Sequence, residues 1–105
     1  MPGNYETTRL EWHGIAIEVR YCQNWSNTFE PIYGHALAHL EVISIEPRLA
    51  PLPITKTGYR SHFAIADDIK AAGGPEAFVR AALDAAAQDA DWIRQEADAR
   101  QMVLF

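Results

Sequence analysis

The chain has 105 residues, of which 49% are hydrophobic and 22% are charged, and its formal net charge is −5. This length and composition predict one globular domain with a modest core and argue against disorder. The excess of acid disfavours direct nucleic-acid binding, because such binding depends on clustered lysine and arginine. The lone cysteine, Cys22, leaves no internal disulfide, and no apolar run reaches the length of a membrane span. We therefore expect a cytoplasmic domain.

The first 22 residues predict a β-hairpin. Apolar and polar residues alternate from Thr8 to Trp12 and again from Ile15 to Cys22, which is the period of a half-buried strand. His13 and Gly14 stand where a two-residue turn is needed, and glycine adopts the positive φ of such turns without strain.

Two further strands are predicted, over residues 35–46 and 58–63, after a loop at 23–34. The first of them has an ambiguous register, and a bulge near Ile43 would reconcile its two sets of apolar residues. Those sets are Ala38, Leu40 and Val42 on one face, and Ile43 and Ile45 on the other.

The last 42 residues predict helices. Asp67 is a plausible N-cap for a short helix through Ala72, and Pro75 suits the first turn of a second, long helix that runs to Arg100. Apolar residues follow in that helix at steps of three and four, which predicts one stripe facing a sheet. The expected fold is α+β: about four antiparallel strands covered by one long C-terminal helix, with a short helix before it. The single domain, 1–105, divides into 1–63 (mostly β), 64–100 (helical) and 101–105 (an apolar tail).

No catalytic, metal or cofactor site emerges from the sequence. His35 and His39 lie four apart in a predicted strand, where that spacing separates them by roughly 13 Å and prevents them from sharing a metal. Cys22 lacks an electropositive neighbourhood that would make it a nucleophile. We therefore expect a non-enzymatic protein without a cofactor.

A run of polar and aromatic residues after the third strand offers one alternative binding face. Its members are cationic or able to stack on a base, a combination that suits single-stranded nucleic acid. The preferred interpretation is an ordinary edge strand whose aromatic side chains face the core. The residues of this face are Lys56, Tyr59, Arg60, His62 and Phe63.

The terminal residues Gln101-Met102-Val103-Leu104-Phe105 resemble the pentapeptide by which bacterial DNA polymerases and repair proteins dock on the sliding clamp. The resemblance implies that Gln101 hydrogen-bonds at the clamp cleft and that Leu104 and Phe105, next to Met102, fill an apolar pocket. Such a peptide binds in an extended form with alternate anchors. The competing interpretation is that the tail packs on the domain's own sheet.

Several blocks of residues 35–105 resemble small uncharacterised proteins of proteobacterial plasmids and integrative elements. The blocks are 38–42, 51–55, 58–63, 73–75 and the Leu-Phe ending. The resemblance implies a mobile-element setting and no particular chemistry.

We therefore expect a mobile-element interaction protein that acts on host DNA metabolism through a protein partner, with the sliding clamp as the candidate. One alternative is an acidic inhibitor of a host defence nuclease, whose helical carboxylates imitate phosphates: Asp84, Asp89, Asp91 and Asp98. The other is a weak single-strand binder that uses the Lys56–Phe63 face. The alanine-rich helix also leaves a homodimer open.

Overall fold

The computed structural model describes residues 4–102, and in them a four-stranded antiparallel sheet carries helices on one face. The strands lie side by side in chain order, so the sheet is a meander. The α+β architecture predicted from the sequence is confirmed. The elements are β1 Glu6–Trp12, β2 Ile15–Cys22, α1 Phe29–Tyr33, β3 Leu37–Glu46, β4 Tyr59–Ile65, α2 Ala66–Ala71, α3 Pro75–Ala86 and α4 Ala90–Met102.

The predicted β1–β2 hairpin is confirmed, including its two-residue turn. Pairing runs from Glu6 opposite Tyr21 to Trp12 opposite Ile15. The two turn residues, His13 and Gly14, both have positive φ values, 49° and 79°, as the tight turns that suit hairpins require.

The inner face of the sheet, which faces the helices, forms the core. Alternate strand residues point to this side, where α2 and α3 pack on them. Each fully buried Leu, Ile or Val contributes about 1.5–3 kcal/mol relative to an exposed position, so this layer supplies most of the stability. Its largest members are Leu10, Trp12, Ile17, Val19, Tyr21, Leu40 and Val42 from the strands and Ile69, Val79 and Leu83 from the helices.

The predicted bulge in the third strand lies farther along than expected. Pairing stays regular through Ile43, and the irregularity falls at Ile45, because Ala16 lies opposite Glu46 while Ile17 lies opposite Ser44. The inner face therefore continues to Ser44, which is 1% exposed. Its hydroxyl donates to the carbonyl of Ala50 at 2.7 Å, and this bond satisfies the buried polar group that apolar patterning did not predict.

The prediction of one long helix over 75–100 is wrong, because the chain forms two helices separated by residues 87–89. The Asp89 carboxylate accepts from the backbone N–H groups of Asp91 and Trp92 at 2.8 and 3.3 Å, and so caps α4. Aspartate favours such a cap over a helix interior, and this local preference ends the continuous apolar stripe. The sheet is covered by α2 and α3 instead of one long helix.

Two smaller predictions also differ from the structure. Helix α2 begins at Ala66, with Ile65 as its N-cap and no side-chain cap, so Asp67 lies inside the first turn. The predicted 23–34 loop contains the short helix α1, which ends at Gly34 in a left-handed conformation.

The molecule is elongated. Its radius of gyration is 15.5 Å and its extents are 56 × 23 × 20 Å, whereas a compact domain of this length has a radius of gyration of roughly 13 Å. Helix α4 makes fewer contacts with the sheet than α2 and α3 do. Among residues 4–102, no helix is long and apolar enough to span a membrane.

Candidate functional site

The side of the sheet opposite the helices, here called the outer face, carries a connected set of polar and aromatic side chains. Strand register brings them together, since His39 lies opposite both Cys22 and Phe63, and Glu41 lies opposite both Arg20 and Ser61. The outer face comprises Tyr5, Arg20, His39, Glu41, Tyr59, Ser61 and Phe63.

Glu41 organises one half of the outer face. Its Oε1 accepts from Arg20 Nη1 at 2.8 Å, and its Oε2 accepts from the Tyr59 hydroxyl at 2.6 Å. Both carboxylate oxygens are therefore engaged with strand neighbours. The Arg20 guanidinium also lies 5.1 Å from the centre of the Tyr5 ring, which adds a cation–π contact.

His39 organises the other half. Its side chain is only 8% exposed, and its Nδ1 and Nε2 lie 2.5 and 2.6 Å from the hydroxyls of Tyr5 and Ser61. A neutral imidazole has one donor and one acceptor, and each hydroxyl can play the complementary role. Both ring nitrogens are thus satisfied, and the imidazole is fixed from two sides.

Two aromatic side chains, Phe63 and Trp25, lie next to His39. The Phe63 ring centre is 4.6 Å from that of His39 and 4.9 Å from that of Trp25, whose ring meets Phe63 edge-on. Such arrangements are preferred by aromatic pairs. Phe63 nevertheless remains 46% exposed and Tyr59 42% exposed, so these large side chains are fixed and also accessible.

Two tyrosines of the outer face resist ionisation. Burial is the main cause that raises the pKa of Tyr5, followed by the charges of Cys22 and Glu41. The hydrogen bond to Glu41 is the main cause that raises the pKa of Tyr59, because ionisation would place two anions side by side. Both phenols are therefore neutral at physiological pH, and that of Tyr59 donates to Glu41.

The five residues of the alternative binding face predicted from the sequence lie in three different places in the structure. Tyr59 and Phe63 lie on the outer face, so the interpretation that these aromatics face the core is wrong. Arg60 and His62 lie on the inner side, where Arg60 donates to the Ile54 carbonyl at 2.9 Å and both residues border a small pocket under α3. Lys56 is exposed in the β3–β4 connector. They do not form one surface, because neighbouring strand residues point to opposite faces.

The two histidines do not share a strand, contrary to the sequence-based prediction, because β3 begins at Leu37. His35 precedes β3 and lies 3.6 Å from the Asp67 carboxylate, while His39 belongs to the outer face. Within residues 4–102, no group of three or more His, Cys, Asp or Glu side chains is placed to hold a metal ion. Cys22 is a buried free thiol beneath His39.

The clamp-like tail falls mostly outside the described residues. Gln101 and Met102 form the end of α4, and Leu104 and Phe105 lie beyond residue 102. Docking of the pentapeptide on a clamp stays a prediction.

Sequence reasoning missed the four central residues of the outer face: Tyr5, Arg20, His39 and Glu41. A signal was present, because Arg20 and Glu41 occupy the polar positions of alternating strands and opposite charges favour cross-strand pairing. Which residues meet depends on the register between strands that are distant along the chain, which the alternating pattern alone does not fix.

Comparison with known families connects this chain to one of them. The family described as the KlcB third domain matches residues 5–92, which is most of the chain. The chain belongs to this family. The match supports a plasmid-associated protein. No curated protein and no solved structure is similar enough to count as a match.

The matched range contains the complete outer face, from Tyr5 to Phe63, and ends at Trp92 within the first turn of α4. The shared KlcB third-domain region is therefore the sheet with α1, α2 and α3. The greater part of α4 lies beyond it.

Proposed function

We propose that this domain is a non-enzymatic interaction module of a plasmid-associated protein, and that it binds a protein partner through the outer face. The observation that carries the proposal is the sheet surface opposite α2 and α3, on which Tyr59 and Phe63 are both exposed and fixed. Tyrosine, tryptophan and arginine dominate the energetic centres of protein interfaces. Side chains already held by hydrogen bonds lose little conformational entropy on binding.

The charge of the surface favours a protein over nucleic acid. The strand positions on this side carry two arginines, Arg9 and Arg20, against four glutamates: Glu11, Glu18, Glu41 and Glu46. Arg20 is already paired with Glu41. A phosphate chain would meet net negative charge here and few unpaired cations, whereas a protein surface can match a mixed pattern.

The Ser61–His39–Tyr5 chain resembles the order of a nucleophile, a base and an orienting group. An acyl-transfer site also needs donors aimed at the developing oxyanion. Backbone N–H groups of a sheet lie in its plane and do not point above its face. The nearby side-chain donors of Arg20 and Tyr59 are both engaged by Glu41. The arrangement therefore suits recognition better than catalysis.

The acidic-inhibitor alternative loses most of its carboxylate row to local contacts. Asp84 accepts from the Trp12 indole at 2.9 Å, Asp89 caps α4, and Asp91 pairs with Arg94 at 3.1 Å. Three of the four acids thus engage nearby groups of the domain, which argues against a row of free carboxylates that imitates phosphates.

Host DNA metabolism remains the proposed setting, and the sliding clamp is a defined partner to test. The clamp peptide binds in extended form, whereas Gln101 and Met102 are helical here. For this reason we assign binding to the outer face instead of the tail.

The experiment is site-specific photocrosslinking in host cells that carry the plasmid. A benzophenone amino acid replaces Tyr59 or Phe63, with the exposed Gln88, between α3 and α4, as the matched control position. We expect one protein to crosslink at both outer-face positions and not at residue 88. With that protein purified, Phe63→Ala should weaken binding at least tenfold, whereas Ile93→Ala, which removes an exposed apolar side chain from α4, should have little effect.

Three results would contradict the proposal. Equal crosslinking at residue 88 would mean that the outer face is not the contact surface. Self-crosslinking alone would indicate a homodimer interface. Salt-sensitive binding to an oligothymidylate that requires Tyr59 and Phe63 would establish the nucleic-acid alternative. Purified sliding clamp serves as a further probe: clamp binding that is lost on deletion of 103–105 and unaffected by Phe63→Ala would assign the clamp contact to the tail.

A further inference from the structure

A second surface, separate from the outer face, lies where α4 meets the end of the sheet. A cleft of about 440 Å³, here called the α4 cleft, separates this helix from the β1–β2 turn and the connector that follows β3. Its volume falls within the range of small-molecule sites, roughly 300–1,000 Å³. Ile15, Pro47, Pro51 and Trp92 make its lining mainly apolar.

Trp92, which lines this cleft, carries an unsatisfied hydrogen-bond donor. The indole nitrogen of Trp92 is buried, and within residues 4–102 it has no hydrogen-bond partner. Trp12, whose ring centre is 6.0 Å away, differs because its indole donates to Asp84. Buried N–H groups are nearly always paired, and an exception requires an explanation. A bound acceptor would provide one.

The polar groups at the rim restrict the kind of ligand. His13 Nδ1 lies 2.6 Å from Glu96 Oε2, so a carboxylate stands at the cleft and disfavours an anion. Trp92 also borders a second cleft, but Lys56, Asp91 and Arg94 make that one strongly charged. The apolar cleft suits an uncharged ligand, whose burial needs no ionic partner.

We propose that the α4 cleft binds a small, neutral, planar molecule with a hydrogen-bond acceptor that pairs with the indole N–H of Trp92. The flat apolar walls of proline and tryptophan contact its ring faces. Because the indole N–H is buried and the ring packs against the core, the ring must rotate when the acceptor binds in order to present its N–H to the cleft. This proposal is independent of the outer face.

The probe for the test is prodan, a neutral naphthalene with a carbonyl acceptor and solvent-sensitive fluorescence. Its analogue with a methylene group in place of the carbonyl is the matched ligand control. We expect both to bind the full chain, and prodan to bind roughly threefold to tenfold more tightly, the usual gain from one hydrogen bond. In Trp92→Phe, which keeps an aromatic ring and removes the N–H, this preference should disappear.

Location is tested by filling the cleft. Ala99 lines it, whereas Ala85 is an exposed alanine on α3, so Ala99→Trp should abolish binding of both ligands and Ala85→Trp should leave it unchanged. Circular dichroism checks that both variants fold. In the wild type, the indole N–H signal of Trp92 should shift downfield with prodan, while that of Trp25 should not.

Prodan affinity that is unaltered in Ala99→Trp would place the ligand elsewhere and overturn the proposal. A carbonyl preference that persists in Trp92→Phe would overturn the role of the indole. Tyr59→Ala and Phe63→Ala should leave prodan binding intact, and a loss there would mean that the probe binds the outer face.

Discussion

Replacement of Glu41 by glutamine tests whether the outer face is held in place as described. The glutamine keeps the shape of the side chain and one acceptor oxygen, and it removes the charge that serves Arg20 and Tyr59 together. We expect a moderate loss of stability and a Tyr59 that ionises at lower pH than in the wild type.

The magnitude follows from the exposure of the groups. The Arg20–Glu41 side chains are 44% and 20% exposed, and ion pairs of this kind contribute about 0.2–1 kcal/mol. A hydrogen bond to a charged group contributes about 1.5–3 kcal/mol when buried, and less here because Tyr59 is 42% exposed. Since glutamine keeps one acceptor, we expect a loss of about 1 kcal/mol, or about 4–8 °C in the melting temperature.

The pH dependence has a definite sign. The hydrogen bond to Glu41 raises the pKa of Tyr59 in the folded state above its ordinary value of 10.0. The stabilisation is therefore fully present below pH 10 and is lost as the pH rises through the folded-state pKa. The difference in melting temperature between the wild type and Glu41→Gln should shrink in the same range.

The assay combines thermal unfolding at pH 7 with an absorbance titration of the tyrosines between about pH 8 and pH 12, with Tyr59→Phe to assign the transition. Glu18→Gln is the matched control, because it removes the same charge from the same face and the Glu18 side chain makes no hydrogen bond or ion pair within residues 4–102. Equal effects of the two variants on melting and titration would refute the proposed role of Glu41.

Three further variants test the fold. Leu83→Ala should cost about 2–5 kcal/mol in denaturant unfolding, because Leu83 is fully buried between α3 and the sheet. Gly58→Ala should destabilise the domain more than Gly34→Ala: both glycines have φ near 80°, but a Cβ at Gly58 would lie 2.5 Å from the backbone of Leu49, and at Gly34 it meets nothing. Asp89→Ala should cost about 0.5–2 kcal/mol in helix stability, seen as faster amide exchange at the start of α4.

The strands were predictable because apolar and polar residues alternate along them, and this alternation follows directly from one buried and one exposed sheet face. Leu10 and Ile17 alternate with polar neighbours, and only one of the two sheet faces is covered by helices. The helical region was less predictable. An apolar stripe at steps of three and four continues across Asp89, so periodicity predicts one continuous helix. The structure instead has two helices, because Asp89 caps the start of α4.

The outer face could not be assembled from the sequence, since its members are distant along the chain. Tyr5 and His39 are 34 residues apart, and His39 and Ser61 are 22 apart. Each is an unremarkable polar residue in its own strand. What joins them is the pairing register of β2 with β3 and of β3 with β4, and a shift by one residue would send them to the opposite face.

The two proposed surfaces can be separated by mutation because they share no residues. The outer face depends on side chains that point away from α2 and α3, while the α4 cleft depends on the β1–β2 turn, the connector after β3 and Trp92. Sites that share no residues and no partners usually respond additively to substitution. A variant such as Phe63→Ala should therefore change partner affinity alone, and Ala99→Trp should change ligand binding alone. An effect of either variant on both measurements would mean that the two surfaces are coupled through the sheet.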